Sequence, residues 1–229
     1  MIANRIHSFA LIAVVGALAA PVHAATPRQI LAEAAFQTRD KATALAQIAE
    51  AERGALALLA RDPANGDIAF VRAMALGYKA KLTRNRGDAI EARRLFEGLA
   101  AADPRDAEAA AAVGTWHLDS VVDLGGMVAS MAIGAKKATG FALMDRAVTL
   151  GGNRAMYPGL AALLRLAIDA DDARGRALAQ KASTAGIAQP LDRVFQRNAV
   201  AILASLKAGD RKATQKLARQ LLPFGRLER

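Results

Sequence analysis

Residues 66–104 read GDIAFVRAMALGYKAKLTRNRGDAIEARRLFEGLAAADP. Ile68, Val71, Met74, Ala75 and Tyr78 recur at steps of three and four, which places them along one face of a helix. Asn85-Arg86-Gly87-Asp88 interrupt that pattern with turn residues, and Asp88 is positioned to cap a second helix. Ala89, Ala92, Phe96 and Leu99 share one face of that second helix. Asp103-Pro104 closes the unit, because proline disfavours helical geometry in the residue before it. A hairpin this poor in large side chains cannot bury its own apolar face, so neighbouring hairpins must stack.

The same grammar extends in both directions. Thr26-Pro27 predicts a helix start, followed by a second helix from about Lys41 to Ala60 that stops at Asp62-Pro63. A third hairpin begins near Asp106 with Val113, Trp116 and Val121. It returns through Phe141, Met144, Ala147 and Leu150 and ends at Gly151-Gly152-Asn153. Arg154–Ile168 and Ala173–Ala185 form a fourth pair. Pro190 opens a fifth, which turns at Ala208-Gly209-Asp210 and runs to Leu222. No stretch alternates with a period of two, so no strand is expected. The reading is all-α, one domain of about ten helices over residues 25–222, with a frayed tail at 223–229.

Residues 1–24 read as a removable signal peptide. Arg5 is the positive n-region, Phe9 to Ala20 an uncharged apolar core, and Val22-His23-Ala24 a cleavage site of the small-residue kind. The chain has no cysteine, which excludes a lipid anchor on cysteine, disulfides and thiolate chemistry. A mature chain of about 205 residues is long enough for one sizeable core without such staples. These features point to the periplasm of a bacterium. The net charge of +10 is uneven: residues 25–110 carry 13 Lys+Arg against 12 Asp+Glu, and residues 111–229 carry 17 against 9. Export and the lack of a basic stretch interleaved with aromatics argue against nucleic acid.

The second-helix spacing Ala92, Phe96, Leu99, Pro104 resembles the tetratricopeptide repeat (TPR) superfamily, as do Leu76-Gly77-Tyr78, Gly140 with Ala147, and Gly209. That resemblance implies a TPR-like helical-hairpin solenoid that works by holding something else. Gly114-Thr115-Trp116-His117 followed by Ala129…Gly134-Ala135 is similar to the Gly-x-Trp-His helix and small-residue insertion of the TPR-like regulator of microtubule dynamics proteins and their bacterial relatives. This second resemblance implies a recurrent structural unit and no particular activity.

Several residues stand out as candidate sites. His117 is the only histidine beyond the leader, and one histidine without cysteine supplies too few ligands for zinc, so packing is expected of it. Tyr78, Trp116 and Tyr157 are the large amphipathic aromatics, suited to packing between helices or to anchoring a partner. The insertion Leu124–Ala135 is uncharged, with small residues at Gly126, Ser130 and Gly134 on one face and Met127, Met131 and Ile133 elsewhere. It reads as a helix buried inside the solenoid, as a lid over an apolar groove, or as a membrane-touching element before Lys136-Lys137. Lys79, Lys81, Arg84 and Arg86 crowd a helix end, either balancing the macrodipole or forming an anion-binding rim. Glu91, Glu97 and Glu108 read as solvated positions, and no catalytic motif, cofactor site or metal site is legible.

The function expected first is a non-catalytic, exported scaffold that binds a peptide or helix of an envelope protein through Tyr78, Trp116, His117, Met127, Met131 and Tyr157. The alternative is a carrier of an apolar small molecule or lipid, associated with a solute-uptake system, with residues 124–135 as its lid.

Overall fold

A computed structural model describes residues 25–228, so the leader expected over residues 1–24 lies outside the described residues. The chain there is all-helical: α1 (Pro27–Phe36), α2 (Lys41–Leu59), α3 (Gly66–Thr83), α4 (Arg86–Ala102), α5 (Ala107–Leu124), α6 (Gly126–Ile133), α7 (Lys137–Leu150), α8 (Met156–Ile168), α9 (Ala173–Thr184), α10 (Pro190–Ala208) and α11 (Arg211–Leu221). The insertion forms a helix of its own, α6, which makes eleven among the described residues rather than about ten.

Side-chain caps fix most of the boundaries. Thr26 and Gln29 form a reciprocal capping box at α1. Asp40, Asn65, Asp106, Asp172 and Asp210 accept from backbone N–H groups in the first turns of α2, α3, α5, α9 and α11. At α4 the cap is Asn85, which accepts from the Asp88 N–H at 2.9 Å. Asp88 therefore stands inside the first turn, where its charge meets the positive helix end and Lys79 at 3.5 Å.

The helices pack as successive pairs, α1 with α2, α3 with α4, α5 with α7, α8 with α9 and α10 with α11. The first members of these pairs also touch in series, α1 to α3, α3 to α5, α5 to α8 and α8 to α10. This helical repeat-like order gives an inner row of α1, α3, α5, α8 and α10. Glycines set the closest approach, between α5 and α7. A Cβ on Gly140 would stand 2.6 Å from Leu118 Cγ, and one on Gly114 would stand 3.0 Å from the Met144 backbone nitrogen.

The two ends of the row meet. Phe36 of α1 and Phe195 of α10 stack edge to face with ring centroids 5.5 Å apart. The tail, expected to fray over 223–229, closes the same seam over residues 223–228 instead. Phe224 is buried, its N–H donates to the Ala35 carbonyl at 2.8 Å, and its ring meets Tyr78 edge to face at 4.9 Å. Farther on, the Glu228 N–H donates to the Arg39 carbonyl at 2.9 Å. Phe224 sits at φ 61°, a left-handed conformation costing a non-glycine residue about 1 kcal/mol, which burial of a phenyl ring more than offsets.

Candidate functional site

The inner row lines a half-open cavity of about 380 Å³. Its wall takes one stripe from each inner helix at steps of three and four: Arg28, Ala32 and Phe36 of α1; Phe70, Met74, Tyr78 and Lys81 of α3; Glu108, Ala112, Thr115, Trp116, Asp119 and Asp123 of α5; Met156 and Leu160 of α8; Leu191 and Phe195 of α10. Phe36 and Phe195 are thus both the clasp that joins the ends and part of the wall. Leu124, at the end of α5, and Val128, Ala132 and Ile133 of α6 complete the wall on another side.

Most of this surface is hydrocarbon, and its charges are paired with one another. Arg28 bonds to Glu108 while its guanidinium lies 5.3 Å from the centre of the Phe70 ring. Lys81 Nζ lies 2.6 Å from an Asp119 oxygen and 3.1 Å from Asp123, and Arg84 reaches Asp123 at 3.5 Å. Burial disfavours the Asp119 carboxylate and raises its pKa, a trend that Asp123 reinforces and Lys81 opposes. Burial also acts against the Lys81 ammonium, but the charges of Asp119 and Asp123 outweigh it and its pKa stands above the ordinary value. Burial pushes the Tyr78 hydroxyl well up, helped by Asp119 and Glu108.

The expected site residues divide. Tyr78, Trp116, Lys81, Arg84 and Arg86 line the cavity, whereas Lys79 pairs with Asp88 away from it. The cations of the expected anion rim are largely engaged, since Arg86 Nε donates to the Ala132 carbonyl at 2.6 Å. Trp116 is buried, donates from Nε1 to the Ala89 carbonyl at 2.8 Å, and lies under the Arg93 guanidinium. Tyr157 is buried beside Arg154, away from the cavity wall. Neither Trp116 nor Tyr157 presents a face to an outside partner. His117, 4 % exposed, packs as expected: its Nδ1 accepts from the Lys136 N–H at 3.1 Å. Burial, with Arg93 and Lys136 nearby, lowers its pKa to about 4.

The insertion is not a helix buried among the others, as the sequence reading also allowed. Met127 and Met131 are 78 % and 81 % exposed, and the small residues Gly126 and Ser130 also face outward. The close contact is made instead by Ala129 and Ala135, which pack against Trp116. Ala129 is the one buried residue of this eight-residue helix, which lies over the wall as a cover. Glu108 likewise is no solvated surface acid, for it pairs with Arg28 in the cavity wall. Sequence reasoning missed Arg28 and Phe36 as wall residues, and Phe36 reaches Phe195 only through ring closure. Among the described residues, no helix is long and apolar enough to cross a membrane, and no group of three or more candidate ligands could hold a metal. Comparison with known proteins finds no family model, no curated protein and no solved structure significantly similar to this chain.

Proposed function

We infer that this chain is a non-catalytic TPR-like carrier that holds an apolar small molecule or lipid tail in the cavity, with residues 124–135 as its lid. The carrying observation is the hydrocarbon-lined chamber of about 380 Å³, inside the range of small-molecule sites. The burial of Trp116 and Tyr157 within the fold turns the reading from protein scaffold to carrier. The leader read from residues 1–24 supports a periplasmic setting, where a solute-uptake system would receive the cargo. The wall carboxylates are neutralised by Lys81 and Arg28, which suits holding a ligand better than proton transfer to it.

The test is extraction of protein purified under non-denaturing conditions, with mass spectrometry of what is released. One apolar compound near equimolar amount is expected. Ala32, half-buried in the wall, gives the matched variant: Ala32→Phe should fill the chamber and release an empty protein with unchanged helicity. Wild-type protein that is empty and fails to take up fatty acids, phospholipids or a fluorescent apolar probe overturns the carrier reading.

A further inference from the structure

The outer face of α6 is the second feature that folding leaves unexplained. Met127 and Met131 are the most exposed large hydrophobic side chains among the described residues, and Val128 between them is 54 % exposed. Other exposed apolar residues, such as Leu56, Ile187 and Val200, are far apart in the chain on separate elements, an ordinary occurrence. Here two lie one turn apart on one short helix, on the face away from the cavity. Exposed Lys136 and Lys137 come directly after it, and exposed Arg86 is bonded to the carbonyl of Ala132. The nearest acid in sequence, Asp123, is already held by Lys81 and Arg84.

We propose that the outer face of α6 docks on an anionic phospholipid bilayer, with Met127 and Met131 entering the interface and Lys136 and Lys137 meeting the headgroups. Size and charge select this occupant. A helix of eight residues is about 12 Å long. Two side chains on it fall far short of the roughly 800 Å² per partner that a stable protein interface buries. A bilayer needs no matching surface: it accepts unbranched methionine chains and rewards adjacent cations. The inner face of the same helix lines the cavity, so the docked lid would stand between the chamber and the membrane. Docking through this outer face is independent of what fills the chamber.

The absence of cysteine makes the test clean, because a single introduced thiol is the only labelling site. Met131→Cys carries an environment-sensitive fluorophore, and Lys181→Cys on α9, which packs on α8 and α10, is the control. Vesicles of phosphatidylcholine with one quarter phosphatidylglycerol should move the label at 131 into an apolar environment and leave the label at 181 in water. Replacing Lys136 and Lys137 by glutamine should weaken vesicle binding roughly fivefold per lysine. Ala32→Phe should bind vesicles like wild type, which separates this result from the fate of the carrier reading. An unmoved label at 131 overturns the proposal. So does equal movement at both positions, binding indifferent to the lysines, or burial of the label only by a protein fraction of the cell envelope.

Discussion

Acidification should destabilise this fold through His117 by an amount the structure sets. The imidazole is 4 % exposed, its Nδ1 accepts from the Lys136 N–H, and the proton must therefore sit on Nε2. Charging the ring would place a second proton where the acceptor is needed, beside Arg93 and Lys136. Its pKa falls from 6.5 to about 4 in the folded chain, with burial the largest cause. As pH drops below 6.5 the unfolded chain takes up a proton that the native chain refuses, so protonation favours unfolding. The full native advantage is present above 6.5 and is lost progressively down to about 4, below which both states are charged. At about 1.4 kcal/mol per unit, the loss is about 2 kcal/mol by pH 5 and about 3 kcal/mol at its limit.

The comparison is with His117→Asn, whose side-chain oxygen can accept from Lys136 but does not titrate. Urea unfolding followed by Trp116 emission, at several values between pH 7.5 and 4.5, gives the stability difference between the two proteins. Contributions from carboxylates cancel in that difference, and the remaining slope belongs to one imidazole. The histidine Hε1 resonance that disappears in the variant gives an independent native pKa. A difference that stays flat across this range, or a resonance with its midpoint near 6.5, would refute the reasoning.

Packing sets three further outcomes. Gly140→Ala should cost about 1–3 kcal/mol despite its better helix propensity, because the new Cβ meets Leu118 Cγ at 2.6 Å and Leu118 is fully buried; thermal unfolding checks it. Gly77→Ala should have the opposite sign, a gain of about 0.5–1 kcal/mol, since its Cβ would find Ala92 and Phe96 at an ordinary 3.6 Å; the same assay measures it. Asp192, 0 % exposed, accepts from the backbone N–H groups of Met156, Ala188 and Gln189 and from Arg154. Asp192→Ala strands those donors and should cost about 3 kcal/mol or more in urea unfolding, with the cooperative transition largely lost.

What the sequence made legible was whatever rests on local chemistry. Proline and aspartate punctuation located the hairpins, since caps and X-Pro sterics act over a few residues. The cavity was illegible for the opposite reason. Its wall stripes are each readable as a helical face, but a hydrophobic stripe looks the same whether it meets another helix or an empty chamber. Only the contact of Phe36 with Phe195, 159 positions along, turns the stripes into a wall, and nothing local marks that pair. Phe224 was misread through the same blindness. A phenylalanine after the last helix and near charged residues carries no local sign that Ala35 and Tyr78 await it. The insertion was ambiguous in sequence because its apolar residues surround the helix, with no polar face to orient it.

One side chain joins the chamber to its cover. Trp116 lines the cavity, packs against Ala129 and Ala135, and lies under Arg93, which in turn donates to the Ile133 carbonyl at 3.2 Å. Arg86 holds the neighbouring Ala132 carbonyl, so the C-terminal end of α6 is latched by two arginines of α4. Hydrogen bonds of charged donors are each worth about 1.5–3 kcal/mol, less where solvent reaches them, which makes the latch a matter of a few kcal/mol. Gly125 at φ 80° and Gly134 at φ 73° bound the helix with conformations that glycine adopts without strain and can leave as easily. A closed state favoured by so little is one that a ligand or a bilayer can shift, provided it binds the open form better by that same amount. The inner helices are joined end to end by Phe36, Phe195 and Phe224, whereas α6 is held to the wall by these few contacts.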